Sequence, residues 1–592
     1  MRVIVCAVVF FIMMFSSLAF AIEEPKELLA ARRLVEERKY EQALKLYEGI
    51  ASWVESDAGL AIEWARVFTY ADKHPEAIAK FQQIIQRFPD RRKEIVRELA
   101  DQYKWNSQLQ PAIALYEEAL RDNPLDFRLR TSYAQALAWD HQRLKALYEY
   151  DQVLLAQPDY REAMKQKADL LSWLDKLEES FQLYGQVLKL DPQDLECENG
   201  QAKILVWQGY HRKGIARYRE ILRTHPDNLD ALEGLAFALH WEAEDVEAED
   251  VLKKLLARTP QRRAAQDLFT RIKNARSCFV APLAQYSRDN NRQTVLTNSL
   301  RVGNSLGYAV AYDGVFARQL LRKKNAAYPT MVATRAGVGA KGRLNAYLQA
   351  YSFLYSTHFS KADFNPVTCN TWFTVTPDDY WRFDLAYDRE TFEDNDAIRD
   401  NILTNSGSLS LDFRLNRFWF FNAKYRRSYF SDDNRQNAVS SKIEYRLLQK
   451  PFCKLYYNYY YSTMGEPDLS HGYFNPHSIK SHALGLYTGI DLTKRLFAEA
   501  QISGGFEFQR LRDALFPESN HPVFFAGGGL RYRLHEQWML SGRAEFFSTR
   551  PDKHNENGYT RKYFSLSVTY NFGAQPQEAR EGTQPYRPAM GR

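Results

Sequence analysis

Charged side chains recur at every second position of several short segments in the second half of the chain, with apolar residues between them. Arg382, Asp384, Asp388 and Glu390 alternate with Phe383, Leu385 and Tyr387, and Asp412 and Arg414 flank Phe413 after Leu409 and Leu411. Lys442, Glu444 and Arg446 alternate with Ile443, Tyr445 and Leu447. Glu499, Glu507, Arg531, Arg533, Arg543 and Glu545 continue the series. In an extended chain successive side chains point to opposite faces, so each segment has one charged and one apolar face. Carboxylates and guanidinium groups on one face can hold a hydrated ligand, or can pair with one another and keep water on that face. Both uses fit the pattern, and these fifteen residues form the candidate binding set.

Covalent chemistry has less support. The sequence holds no Gly-x-Ser-x-Gly elbow, P-loop or His-Glu-x-x-His motif. His471, His477 and His482 lie near one another in sequence, but without the helical or Cys-x-x-Cys frame of a metal site. Cys197, Cys278, Cys369 and Cys453 are widely scattered, which reads as buried or isolated thiols. Tyr456, Tyr457, Tyr459, Tyr460 and Tyr461 could stack on sugar rings, although alternation turns some of them to the apolar face. The expectation is a protein that is not an enzyme, with no catalytic residue, metal or cofactor.

The charged face needs strands to carry it. Alternation runs through almost 300 residues after about Ala275, and is clearest in Tyr559–Phe572. There Phe564, Leu566, Val568, Tyr570 and Phe572 share one face, and Tyr563, Ser565, Ser567, Thr569 and Asn571 the other. With helices absent and aromatics crowding the strand ends, this predicts a transmembrane β-barrel, lipid outside and water inside. Tight turns are expected near Asn304–Gly307, Lys341–Arg343, Pro377–Tyr380, Asn416–Arg417, Gln449–Pro451, Thr493–Arg495 and His535–Gln537. Eight longer polar links alternate with them, among them 391–400, 464–478 and 511–521, so the count predicts sixteen antiparallel strands. An even number puts both barrel ends on the side of the tight turns, and a barrel of this size can enclose an aqueous channel.

The first half keeps another beat. Trp105, Trp139, Trp173, Trp207 and Trp241 are each 34 residues apart, as are Tyr116, Tyr150, Tyr184 and Tyr218, and the prolines from Pro124 to Pro260. Three interleaved ladders of this period mark tetratricopeptide helix–turn–helix repeats, here about seven pairs stacked as a solenoid. At a constant repeat phase the tryptophans and tyrosines are expected to be packing residues. The expected fold is therefore α + β in two domains: an all-α tetratricopeptide solenoid over 22–275, then a sixteen-stranded antiparallel transmembrane β-barrel over 276–573. Residues 1–21 read as a signal peptide, with Arg2, an apolar run and Ala19-Phe20-Ala21 as cleavage site, and 574–592 as a disordered tail. The net charge of +6 conceals opposite halves. Residues 22–275 hold 38 Lys and Arg against 44 Asp and Glu, net −6, and 276–573 hold 37 against 27, net +10.

The repeat style of Leu170-Leu171-Ser172-Trp173 with Tyr184 and Leu190-Asp191-Pro192, and the segment Gly472-Tyr473-Phe474-Asn475-Pro476 before a strand, resemble outer-membrane exopolysaccharide export porins. These are the porins of the poly-N-acetylglucosamine and cellulose systems, which carry N-terminal tetratricopeptide repeats. The resemblance implies an outer-membrane barrel with a periplasmic repeat domain, which passes a polysaccharide to the cell surface and docks synthase proteins on its repeats. Outer-membrane lipid and lipopolysaccharide are the further partners, and nucleic acid is not one. Two other readings stay open at this level: translocation of a surface protein or lipoprotein through the repeat-plus-barrel unit, and a surface receptor or adhesin.

Overall fold

The computed structural model describes residues 24–306, 310–324, 326–449, 451–466, 473, 476–510, 519–549 and 559–572. The expected signal peptide, His471 and the expected tail lie outside the described residues. The chain divides into two compact units, residues 1–197 and 198–592.

In the first unit, helix pairs follow the 34-residue beat: Arg92–Trp105 with Leu109–Asp122, Phe127–Trp139 with Arg143–Ala156, and Arg161–Trp173 with Leu177–Leu190. The earlier pairs are Lys26–Glu36 with Tyr40–Gly49, and Ala58–Tyr70 with His74–Arg87. Each first helix of the periodic pairs ends at the ladder tryptophan, and two residues later the backbone turns left-handed at Ser107, His141 and Asp175. A left-handed residue just past a helix end lets its N–H and its neighbour's reach the last free carbonyls. Asp126 caps the N-terminus of Phe127–Trp139 by accepting from the Leu129 N–H at 2.9 Å.

The tyrosine ladder is the packing core. Tyr116 and Tyr150 are buried beside Ala134, Ala138, Ala146 and Ala163, where small side chains let neighbouring helices approach, and Tyr184 is likewise buried. Each buried phenol keeps a partner. Tyr116 donates to Asp101, Tyr150 to Gln166 at 3.1 Å and Tyr184 to Asp169 at 2.7 Å, so no hydroxyl is stranded. Two of the five ladder tryptophans depart from the expected packing role. Trp105 is 51% exposed and Trp173 41%, because the end of the helix leaves no following turn to cover the indole. Trp105 leans edge-on against Trp139 at 5.4 Å, with the buried Lys104 ammonium 4.9 Å from its ring.

The second unit continues with Leu195–Trp207 from its residue 198, then His211–Thr224, Leu229–Trp241 and Asp245–Arg258. A further helix, Arg263–Ala275, ends the helical part within the expected range of 22–275. Its apolar stripe of Ala265, Leu268 and Ile272 at helical spacing is buried.

Sixteen strands then form a closed antiparallel barrel among the described residues. They are β1 Phe279–Asp289, β2 Gln293–Leu306, β3 Val310–Lys323, β4 Thr330–Arg343, β5 Leu348–Phe359, β6 Val367–Val375, β7 Trp381–Thr391 and β8 Leu403–Arg414. Next come β9 Trp419–Phe430, β10 Arg435–Leu448, β11 Phe452–Met464, β12 Ser478–Asp491, β13 Leu496–Arg510, β14 Ser519–His535, β15 Trp538–Ser548 and β16 Thr560–Asn571. Two expected tight turns shift: β2 continues to Leu306, and β4 continues through Lys341–Arg343 so that the turn falls at 344–347. The β4 residues stay in the ladder because Arg343 still pairs with Gln349.

Closure joins β1 to β16, from Phe279 opposite Asn571 to Asp289 opposite Arg561, leaving no free edge. That matters because an unpaired backbone group in hydrocarbon costs several kcal/mol, on the order of the whole stability of a small domain. Leu354, Leu385, Leu409, Leu484 and Leu566 stand exposed on one face, which is the outer, lipid-facing one. Near the short turns the same face carries a belt of aromatic contacts: Trp381 on Phe413 at 4.3 Å, Trp419 on Tyr445 at 4.7 Å and Trp538 on Tyr570 at 4.6 Å.

The helices of this unit lock onto the short-turn end of the barrel. Asp379, in the turn before β7, accepts from the backbone N–H groups of Arg212 at 2.8 Å and Lys213 at 3.1 Å, at the N-terminus of His211–Thr224. The Arg212 guanidinium donates to Glu242, to the Ala346 carbonyl and to Thr376, while Arg343 donates to the Glu242 carbonyl and the Glu244 carboxylate. Arg414 donates to the Gly209 carbonyl at 3.0 Å. Gly209 takes φ +90° at the repeat position where Ser107, His141, Asp175 and Ala243 stand elsewhere. A Cβ there would sit 2.8 Å from the Arg414 Nη1, so a side chain at this copy of the left-handed residue would push the guanidinium off its present position.

Burial raises the Asp379 carboxyl despite the two N–H donors. At Glu242 burial also pushes upward, but His211 and Arg212 outweigh it and hold the group below its usual 4.5. A depressed carboxyl stabilises above its unfolded value, so the Glu242 contribution is complete at neutral pH and is lost as pH falls through its lower folded value. Replacing Gly209 with Val should loosen this joint by about 1–2 kcal/mol, from the left-handed φ and the clash with Arg414. Limited proteolysis would show faster cleavage within 198–275 in G209V, whereas Ala243→Gly, at the equivalent position, should leave the rate unchanged.

Candidate functional site

The candidate site is the inner wall, and its geometry follows from the register. Opposite residues in neighbouring strands share a face, so one inward residue fixes all its partners. Asp384 pairs with Thr374 and Ser410, Arg382 with Asp412, and Asp412 with Asn422. Asn422 pairs in turn with Lys442, and Glu444 with Tyr456. Glu507 faces Ser481 and His521, Glu499 faces Gly489 and Gly529, and Arg543 faces Gly529 and Ser565. Followed around the barrel, all fifteen charged candidates lie on the face opposite the exposed leucines.

They form separate clusters. On β6 to β9, Arg382 reaches Asp384 at 3.0 Å and Asp412 at 4.0 Å, and Asn422 donates to Asp412 at 2.6 Å. Asn370 donates to both Asp388 and Glu390 at 3.0 Å, with Arg426 3.8 Å from each. On β10 and β11, Glu444 lies between Lys442 and Lys454, the latter at 2.8 Å. On β12 to β15, Glu499 accepts from Tyr487 at 2.9 Å and Arg543 at 3.0 Å, Arg531 is 3.9 Å away, and Arg543 also holds Glu545. Glu507 accepts from Gln509 at 2.6 Å, Arg533 lies 3.8 Å from Glu536, and Arg446 sits over the Phe452 ring. Arg414 belongs to the joint with Gly209, at the rim. Mutual pairing satisfies much of this charge internally. Arg382, Glu390, Arg531, Arg533 and Arg543 keep enough exposure to meet a solute.

Of the tyrosine run, register turns Tyr456 and Tyr460 inward and Tyr457, Tyr459 and Tyr461 outward. Tyr456 is only 1% exposed. Its ring lies where Gly485 leaves room and its hydroxyl accepts from Gln501 at 2.7 Å, so it is part of the wall. Tyr457 and His482 share a hydrogen bond of 2.6 Å on the outer face. Among the described residues no three His, Cys, Asp or Glu side chains are grouped to hold a metal ion.

The link between β7 and β8 is the largest departure from the sequence reading, which expected only a polar connection at 391–400. A short helix, Asn395–Arg399, forms there, and the segment packs against inward-facing residues of distant strands. Lys323 of β3 holds Asp394 at 2.8 Å and Asp396 at 2.6 Å. Gln293 of β2 donates to the Glu393 carbonyl at 2.8 Å and to the Asn395 side chain at 2.9 Å, and Arg561 of β16 lies 3.7 Å from Glu393. Ile398 is buried with Val295, Leu321, Met331 and Phe359, while Ala397 and Ile402 pack with Phe430, Met464 and Tyr473. The segment therefore crosses the barrel interior at the end of the longer links, tied to both walls. The available signal was Ala397, Ile398 and Ile402 within a mostly acidic loop, and Arg322, Lys323 and Lys324 running on from Leu321 at the end of β3.

Replacing 393–400 with a Gly-Ser linker should at least double single-channel conductance in planar bilayers, because the crossing segment is removed. Lys323→Ala should give frequent transitions toward the larger value. An unchanged conductance in both variants would contradict a segment lying across the lumen.

With this geometry in hand, the comparisons bear on the two halves separately. A tetratricopeptide repeat model matches residues 206–272. No curated protein sequence matches the chain. Among solved structures, one described as a bacterial polysaccharide outer membrane secretin is similar at 13% identity and a TM-score of 0.41, covering 50% of this chain and 99% of that one. A tetratricopeptide repeat protein from Parabacteroides merdae is similar at 17% identity and a TM-score of 0.33, covering 37% and 86%. YrrB, a tetratricopeptide repeat protein with an unusual peptide-binding site, is similar at 19% identity and a TM-score of 0.25, covering 30% and 93%. Tetratricopeptide repeats and a closed sixteen-stranded antiparallel barrel follow one another in this chain, the two-part architecture that the sequence leads one to expect.

Proposed function

We propose that this protein is an outer-membrane exporter that passes an exopolysaccharide from the periplasm to the cell surface through the barrel lumen. The observation that carries the reading is the pairing of an apolar outer face with an inner face of mixed charge, in a barrel whose short-turn end is clamped to helical repeats. Short turns face the periplasm in barrels of this kind, so the joint supports a periplasmic repeat domain. The repeats then serve as the docking scaffold for synthase proteins. Exposed Leu144, Tyr148 and Leu155 along Arg143–Ala156 supply an apolar strip suited to a protein partner.

The protein supplies a path and no bond-breaking step. Polymer transit needs contacts strong enough to admit the chain and weak enough to release it. The open members of the charged set, Arg382 and Glu390 on β7, Arg531 and Arg533 on β14 and Arg543 on β15, offer such contacts on three strands. Deletion of the gene should abolish a cell-surface polysaccharide while the same polymer accumulates in the periplasm, and the intact chain should restore export. Surface polysaccharide that is unchanged after deletion, with a surface protein or lipoprotein lost instead, would replace this reading with translocation of that protein.

A further inference from the structure

Charge explains only part of the inner wall. On β5, Tyr351, Phe353 and Tyr355 occupy successive inward positions, and Trp372 on β6 pairs with Tyr351. The rings lie close together. Trp372 is 4.0 Å from Tyr351 between centroids, and Tyr355 is 4.3 Å from Phe353, stacked at 22°. Glycines of β4 provide the floor: a Cβ on Gly339 would meet Phe353 at 2.2 Å, and one on Gly337 would meet Tyr355 at 2.6 Å. With those positions bare, the rings of Phe353 and Tyr355 come down against the sheet, the way aromatic rings cover strand glycines.

The strip is uneven in exposure. Phe353 is 2% exposed and forms the base, whereas Trp372 is 37% exposed toward the interior. Tyr351 covers part of that indole, and the apolar surface left facing the lumen is surface that a ligand can cover. Polar groups border the strip on both sides. Asn370, the register partner of Phe353, is engaged with Asp388 and Glu390, and Arg335 donates to Thr357 at 3.1 Å while lying over the Tyr355 ring. Aromatic surface bordered by a few fixed polar groups is the make-up of small-ligand subsites. A hexopyranose with mainly equatorial substituents fits this combination, since its axial C–H bonds give it an apolar face and its hydroxyls radiate from the edge.

We propose that Trp372 and Tyr351, supported by Phe353 and Tyr355, form a stacking subsite for hexopyranose rings of a polysaccharide inside the barrel. The subsite rests on the export reading for its physiological ligand, but not for its ability to bind sugar. The test is calorimetric titration of the full chain in detergent micelles with cellohexaose, whose rings present flat apolar faces, and with hexaguluronate, an anion with axial linkages. Trp372→Ala should weaken cellohexaose binding at least about fivefold and leave hexaguluronate unaffected, and Trp372→Phe should recover most of the loss. Trp381→Ala, on the outer aromatic belt, should change neither, and unchanged heat-shifted electrophoretic mobility would show each variant folded. No binding of cellohexaose, or equal binding by wild type and Trp372→Ala, overturns the subsite. Neither result touches the export reading, whose own test is the fate of surface polysaccharide in the deletion strain.

Discussion

The constraint on which the structure depends is that every backbone hydrogen bond in the lipid-facing sheet must be made within the sheet. Pairing of β1 with β16 meets it, and much else follows. A closed sheet has an inside, and strict alternation then sends Phe383, Leu385 and Tyr387 to lipid and Arg382, Asp384 and Asp388 to water. Because side chains repeat with period two, a slip of one residue in a strand such as β7 or β10 would put charge into hydrocarbon. The same rule that makes the barrel possible therefore makes its lumen polar.

A wet lumen of this width would be an unguarded hole. The segment between β7 and β8 occupies part of it, held by Lys323 through two carboxylates and by apolar contacts on two walls. At the other end the repeats are fixed by Asp379 at a helix N-terminus and by Arg414 reaching past Gly209. Thus the two ends are built differently. One carries a folded-in segment of the barrel itself, the other a helical scaffold suited to a partner.

Legibility from sequence tracked the range of the determining interactions. Alternation in Tyr559–Phe572 and the 34-residue ladders depend on neighbours within one strand or one repeat, so both halves and the strand number could be read directly. The charged set could be placed on one face by parity alone. What parity cannot show is pairing, so the drawing of Arg414 to the joint and of Glu444 between two lysines emerged only in three dimensions. The inward course of 392–402 was hidden for the same reason: eleven residues are too few to show a period, and Lys323 is distant in sequence. Trp105 and Trp173 misled because a constant phase implies a constant environment, yet theirs is the open end of a helix. In the inner aromatic strip, Gly337 and Gly339 are covered by Phe353 and Tyr355 of the next strand, a cross-strand match that no local pattern shows.

The central claim, that a polysaccharide travels inside the barrel, is tested most directly by photo-crosslinking in living cells from two adjacent positions. Tyr460 points inward and Tyr461 outward, so a benzoylphenylalanine at each samples the two sides of one strand at one height. The account predicts the exported polysaccharide, distinguished from lipopolysaccharide by its sugar composition, attached to the protein after irradiation at position 460 and not at 461. That polymer at neither position, or equally at both, would contradict it.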